Sequence, residues 1–248
     1  MPLIKTAHEI DLMRHAGHML FEVLTSAEAL IADGTSTLEL DTFLESEILK
    51  RNCRPAFKGY NGFPATACIS INEEVVHGIP SSNRKLKSGQ LLKIDLGLVH
   101  QEIYSDMARS YLIDSDDRDK LRLIRVAREC CEKGGELARD GMKLGTLGNE
   151  IQKIAEDEGY SVVRDYVGHG IGRALHEDPQ VPNYGLTGTG FLLKKGMVIC
   201  IEPMVNEGTF EVRTKKDGWT VVTKDEKQSA HWENMYLVGD EKGERLTV

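Results

Sequence analysis

Leu86-Lys87-Ser88-Gly89-Gln90-Leu91-Leu92-Lys93-Ile94-Asp95 returns later in the chain as Leu193-Lys194-Lys195-Gly196-Met197-Val198-Ile199-Cys200-Ile201-Glu202. The two stretches lie 107 residues apart, and the leucine, lysine, glycine, isoleucine and closing acid keep their places. Each reads as a turn at glycine, then an apolar strand that ends on a carboxylate. The same offset pairs Asp33-Gly34 with Asp140-Gly141, Leu40 with Leu147 and Leu44 with Ile151. Two distant blocks that share one offset point to internal duplication. A duplicated helix-and-strand unit would place Asp95 and Glu202 at equivalent points, facing each other across a pseudo-twofold axis.

The flanking periodicities supply the rest of the unit. Residues 6–32 keep a helical period through Ile10, Met13, Leu20, Val23, Leu24, Ala27, Leu30 and Ile31. Thr6 with Glu9 reads as a capping box, and Asp33-Gly34 as the stop. Ser36 with Glu39 opens a second helix to about Asn52. Residues 117–139 and 146–158 read as two more helices. Glycines and β-branched residues mark 53–112 as strand-rich, with 91–99 and 103–112 the clearest pair. Residues 75–80 read as a short strand ending in a turn. From Val162 onward the chain is strand and loop. The class is α+β.

Composition narrows the function classes. The chain has 248 residues, 40% hydrophobic and 28% charged, which excludes a disordered or fibrous protein. A net charge of −8 argues against a nucleic-acid partner. No apolar run approaches the roughly 20 residues that span a bilayer. The N-terminus lacks a signal-peptide core, so a cytoplasmic location is expected. The five cysteines show no CxxC or zinc-finger spacing and read as reduced, buried thiols.

The candidate chemistry lies in acids and imidazoles. Asp95 sits inside an apolar strand, and Asp106 follows on the next. A turn centred between His100 and Gln101 would make them direct cross-strand partners, with Cβ atoms about 5 Å apart. Two such carboxylates repel unless a cation or shared proton offsets them. Glu202 repeats the position of Asp95. Glu233 precedes a strand over 235–238. Gly168-His169-Gly170-Ile171-Gly172 is not a dinucleotide fingerprint but leaves an imidazole open on both sides. His176-Glu177-Asp178-Pro179 is not a zincin helix. No P-loop and no nucleophile elbow occur. Four acids and one imidazole suit Mn, Fe, Co or Zn. Four carboxylates fit two ions better than one.

The chain resembles the type I methionine aminopeptidases, in their short form without an N-terminal extension. The resemblance covers nearly the whole chain. It rests on Asn72-Glu73-Glu74-Val75-Val76-His77-Gly78-Ile79-Pro80, the Asp95–Asp106 spacing and the two histidine motifs above. Ile201-Glu202-Pro203-Met204 and Asp217-Gly218-Trp219-Thr220 complete it. It implies the pita-bread fold, with two pseudo-symmetric halves, a central antiparallel sheet and outer helices. The whole of 1–248 would be one catalytic domain, its halves roughly 1–112 and 113–248. The implied activity is removal of the initiator methionine from nascent chains, by attack of a metal-activated water on the first peptide bond.

Residue by residue, the resemblance implies that Asp95 binds one ion, Asp106 and Glu233 bridge two, and His169 and Glu202 complete the other. Glu202 would also take the water's proton. His176 would steady the carbonyl oxygen, and His77 would lie near the scissile nitrogen. Tyr60, Phe63, Cys68, His77, Leu175 and Trp219 would form the methionine pocket. The cofactor would be two divalent ions drawn from Mn, Fe, Co or Zn. The partners would be nascent N-termini and, by family resemblance, the ribosome. No membrane partner is expected, and the chain would act as a monomer.

Three places depart from the family pattern. His231-Trp232-Glu233-Asn234 replaces Gln-x-Glu-His around the last acid. His231, two residues from Glu233 in a strand, would share its face. Phe57 stands where the pocket often has a small or sulfur residue. The hairpin turn lacks the usual Asp-Gly. The competing readings are an Xaa-Pro peptidase on the same fold and a non-catalytic binding module. The first generally carries an extra N-terminal domain, and the second generally loses ligands.

Overall fold

The computed structural model describes residues 3–248. In chain order it comprises helices α1 (Ala7–Ser26) and α2 (Thr37–Lys50), then strands β1 (Arg54–Pro55), β2 (Ala67–Ile71), β3 (Leu91–His100) and β4 (Ile103–Leu112). Helices α3 (Arg118–Leu137) and α4 (Leu144–Asp157) follow, then β5 (Ser161–Val162), β6 (Gly168–Gly170), β7 (Glu177–Val181) and β8 (Val198–Ile201). The last strands are β9 (Met204–Asn206), β10 (Val212–Thr214), β11 (Val221–Thr223), β12 (Ser229–His231), β13 (Asn234–Leu237) and β14 (Glu244–Arg245).

Both expected capping boxes form, Thr6 with Glu9 and Ser36 with Glu39, so the starts of α1 and α2 obey local chemistry. The end of α1 does not. The α-helix stops at Ser26, and the chain to Leu30 tightens into a 3-10 turn before Asp33-Gly34. Leu30 and Ile31 kept the helical period only because that turn still packs them against the core.

Alternation in β3 sends Leu92, Ile94, Leu96 and Leu98 to one face. There they meet Ala16, Leu20, Val23 and Leu24 of α1 and Leu40, Leu44 and Ile48 of α2. In the other half, Ile199 and Ile201 of β8 pack under Val126, Cys130, Leu147 and Ile151 of α3 and α4. The helices therefore form an outer layer, and the opposite sheet faces look inward. β4 pairs along one edge of β3, with β1 and β2 on the other. The second half orders its main sheet β14-β13-β8-β6-β7. A bridge between Ala108 and Glu233 joins the two sheets.

The backbone repeats the sequence offset. Gly34 N donates to Leu86 O at 2.9 Å, Leu86 N to Thr35 O at 2.8 Å and Thr37 N to Arg84 O at 2.8 Å. Their counterparts 107 residues on are Gly141 N to Leu193 O, Leu193 N to Met142 O and Leu144 N to Phe191 O, at 3.0, 2.8 and 2.9 Å. Both turn glycines, Gly34 and Gly141, have φ of 90° and 77°, a conformation that disfavours a side chain.

The hairpin register corrects one expectation. Asp95 pairs with Ala108, and Asp106 with Gly97. The acids are diagonal neighbours rather than direct partners. The turn is Gln101-Glu102, with φ of 46° and 63°. Two positive φ values match the twist of a two-residue hairpin, which overrides the poor fit of these side chains. A slip of two residues leaves every side chain on its own face, so alternation alone could not detect it. Residues 75–80 form no named strand. His77 has φ of 60°, which breaks the extended path. Among the described residues, no helix is long and apolar enough to cross a membrane.

Candidate metal centre

The inward face of the β3–β4 hairpin carries Asp95 and Asp106. Gly97 lies beside them because a Cβ there would come within 2.8 Å of the Phe57 ring. Glu233 enters from the gap between β12 and β13. Its N–H donates to Ala108 O at 3.0 Å, and its own carbonyl accepts from Arg109 Nη1 at 2.6 Å. Carboxylate oxygens of Asp95, Asp106 and Glu233 all lie within 4.8 Å of one another. Asp95 Oδ1, Asp106 Oδ1 and Glu233 Oε1 are buried and have no hydrogen-bond donor.

His169 on β6 and Glu202 just after β8 close the other side. His169 Nε2 stands 3.6 Å from Glu202 Oε1 and 3.9 Å from Asp106 Oδ2. His169 Nδ1 lies 2.9 Å from the Gly170 carbonyl, which can only accept. The proton therefore sits on Nδ1, and Nε2 presents a lone pair to the acids. Asn183 Nδ2 donates to the Glu202 carbonyl at 3.2 Å.

In the electrostatics of the site, burial outweighs the few donors, such as the Met107 amide at Asp106 and the Cys200 thiol at Glu233. Burial, then the charge of Glu233, pushes Asp95 well above the usual carboxylate range, and the same order holds for Asp106 and Glu202. Burial pushes Glu233 itself up to about 7. Burial holds His169 down to about 3 and His77 to about 4. It also lowers His176. Such a cluster of acids asks for a cation, and oxygen donors with one imidazole suit a divalent metal.

Above the acids opens a pocket of about 180 Å3. All six residues expected to surround a methionine side chain line it: Tyr60, Phe63, Cys68, His77, Leu175 and Trp219. Phe57 and Asn61 line it too. Phe63 meets Trp219 edge-on at 5.1 Å, and His77 lies between Trp219 and Tyr166, at 6.3 and 5.5 Å. His176 stands at the rim, its ring 4.3 Å from that of His169. Its Nδ1 is 2.8 Å from the Tyr60 hydroxyl.

The altered surroundings of Glu233 are now visible. His231 ends β12 while Glu233 lies outside any strand, so the expected shared strand face does not apply. His231 nevertheless reaches the site, with Nε2 3.8 Å from Glu202 Oε2. Both of its ring nitrogens are buried without a hydrogen-bond partner. Asn234 points away from the acids. Its Oδ1 accepts from Arg109 at 2.7 Å and Thr247 at 2.9 Å, and its amide donates toward Cys131. Arg109, which sequence reading passed over, also stacks over Trp232 at 4.5 Å. Nothing in the sequence sets it apart from a surface cation; only its burial on β4 does. The five cysteines are free and buried.

A family model described as metallopeptidase family M24 matches residues 11–240. The chain belongs to that family. It is 46% identical over 248 residues to the methionine aminopeptidase of Clostridium acetobutylicum, covering 100% of this chain and 99% of that protein. The crystal structure of methionine aminopeptidase from Thermotoga maritima superposes with a TM-score of 0.96 at 43% identity, covering 98% of each chain. The prolidase from Pyrococcus furiosus gives a TM-score of 0.79 at 25% identity, covering 99% of this chain but 65% of that one. The fold is thus the pita-bread fold of family M24, and the family's chemistry is that of a divalent-metal peptidase.

Proposed function

We propose that the protein is a methionine aminopeptidase that removes the N-terminal methionine from nascent chains and peptides. The observation that carries this reading is the set of three orphaned carboxylate oxygens, on Asp95, Asp106 and Glu233, at the floor of an aromatic pocket. Asp95, Asp106, His169, Glu202 and Glu233 would hold two divalent ions, drawn from Mn, Fe, Co or Zn. Such ions acidify a water and polarise a carbonyl.

The chain's own residues do the rest. Glu202, flanked by His169 and His231, would accept the proton of the attacking water. The Tyr60 hydroxyl can donate to His176 Nδ1, which leaves the ring's proton on Nε2. Burial keeps this imidazole neutral, so it can donate to a developing oxyanion without releasing a charge. His77, likewise neutral, would face the scissile nitrogen and crowd the second residue of the substrate. Phe63, Trp219, Tyr60, Leu175 and the Cys68 thiol would surround a thioether. We read 1–248 as a single catalytic domain with halves near 1–112 and 113–248, acting in the cytoplasm as a monomer with access to the ribosome.

The test is hydrolysis of Met-Ala-Ser by metal-stripped protein, with Mn, Fe, Co and Zn restored separately. Ala-Pro peptides run alongside. Methionine release that needs metal and disappears in Asp106→Asn supports the reading. Preferential cleavage of Ala-Pro would replace it with an Xaa-Pro peptidase. Metal binding without cleavage of either would favour a binding module.

A further inference from the structure

Lys93 is buried in the protein's interior, 1% exposed, and the metal-dependent reading above leaves it without a task. It lies two residues before Asp95 on β3 and therefore on the same, inward face of the sheet. The residues opposite it are Ser110 on β4 and Ser70 on β2, neither of them an acid. Its Nζ donates to the carbonyl of Asn72 at 2.7 Å and to that of Ser229 at 3.0 Å.

Those two carbonyls belong to the segments that carry the rest of the site. Asn72 follows β2 with φ of 55° and begins the path to His77. Its side chain accepts from Leu91 N at 3.0 Å, and its carbonyl also accepts from Ser229 N at 3.1 Å. Ser229 starts β12, which runs to His231 and then Glu233. Ser110, beside Lys93, grips the same strand. Its hydroxyl donates to His231 O at 2.8 Å and accepts from His231 N at 2.9 Å. The amine thus stands where β3, the approach to His77 and the approach to Glu233 converge. A primary amine has two N–H donors for two carbonyls even when neutral, so the junction does not depend on its protonation.

We propose that Lys93 is a positioning residue of the catalytic centre, an internal amine that joins the Asn72 and Ser229 carbonyls and so sets the spacing between Asp95, His77 and Glu233. A partner that tunes ligands from outside the coordination shell changes metal affinity by about 10–100-fold. Removing the amine takes its bond from the Ser229 carbonyl, leaves the Asn72 carbonyl with the Ser229 amide, and frees the β12 approach to shift.

The experiment compares wild type with Lys93→Met and Lys93→Ala. Mn affinity is measured by calorimetry on metal-stripped protein, and kcat and KM on Met-Ala-Ser. The expected result is a Mn affinity weaker by about 10–100-fold and a loss in kcat larger than any rise in KM. Propylamine, which supplies the atoms missing from Lys93→Ala, should restore both saturably, and 1-propanol, with a single donor, should restore less. Lys93→Met that matches wild type in Mn affinity and kcat overturns the proposal. So does a Lys93→Ala defect that tracks the unfolded fraction and ignores propylamine. If Lys93→Met does not fold, the amine titration of Lys93→Ala decides alone, and an unfolded Lys93→Ala that propylamine does not rescue overturns it as well. Wild type that neither binds Mn nor releases methionine would instead overturn the proposed function.

Discussion

The two sides of the acid cluster are built by different means. Asp95 and Asp106 ride on one hairpin of two ten-residue strands, held by a ladder of ten residue pairs. His169, Glu202 and Glu233 come from a three-residue strand, the end of a four-residue strand and a gap between two short strands. Repetitive backbone pairing fixes the first side. On the second, side-chain bonds from Arg109, Ser110, Asn183 and Lys93 hold the backbone around Glu202 and Glu233. Polar residues that never touch substrate should therefore matter more on the second side.

The largest effect expected is common to both sides. Asp106→Asn removes a charge from the centre and should lower metal-dependent turnover by about three decades, from the several kcal/mol such a site supplies. Turnover with saturating metal measures it, and a loss under tenfold would mean the cluster tolerates a vacancy.

Arg109→Met separates the two sides. It withdraws bonds to Ala108 O, Glu233 O and Asn234 Oδ1, leaving Ala108 O with the Glu233 amide and Asn234 Oδ1 with the Thr247 hydroxyl. Metal affinity should fall by about 10–100-fold, with a loss near 3 kcal/mol in unfolding free energy. Calorimetry and urea denaturation read the two quantities. An unchanged affinity would show that Glu233 is as self-sufficient as the hairpin acids.

His231→Leu should move stability and binding in opposite directions. Replacing two unpartnered buried nitrogens with an apolar group of similar size should stabilise the metal-free protein by about 1–3 kcal/mol. The same change should weaken metal binding by removing the ring beside Glu202. A lower melting temperature for metal-free His231→Leu would indicate that the ring is satisfied in solution.

The smallest effect belongs to the hairpin. Gln101→Asn with Glu102→Gly gives the turn residues that tolerate its two positive φ values, and should add about 1 kcal/mol. That corresponds to a rise of about 2–4 °C in a chain of this size. Metal affinity should not change, because the ten-pair ladder already holds Asp95 and Asp106. An altered affinity would show that turn strain reaches the site.

Asp95, Glu202 and His169 were legible from the chain because each stands against its neighbours: Asp95 and Glu202 lie in or at the end of apolar runs, and His169 sits among glycines, whereas Glu233 is unremarkable by itself and entered through the family resemblance. The helices were legible from periodicity and caps, and the 107-residue offset announced two similar halves. The Asp95–Asp106 register was not legible, since alternation repeats every two residues and cannot distinguish a slip of two. The irregular path at His77 was hidden because its φ of 60° depends on packing rather than on residue type. Arg109 and Lys93 look like ordinary surface cations in sequence.

Local composition by itself thus determined which residues prefer helix, strand or turn, and which side chains could bind a metal. Tertiary structure alone decided which of them meet. The bonds from Arg109 to Glu233 and from Lys93 to Ser229 span more than a hundred residues. No local preference encodes such a bond. It forms only when burial removes water and leaves each carbonyl and cation the other as the remaining partner.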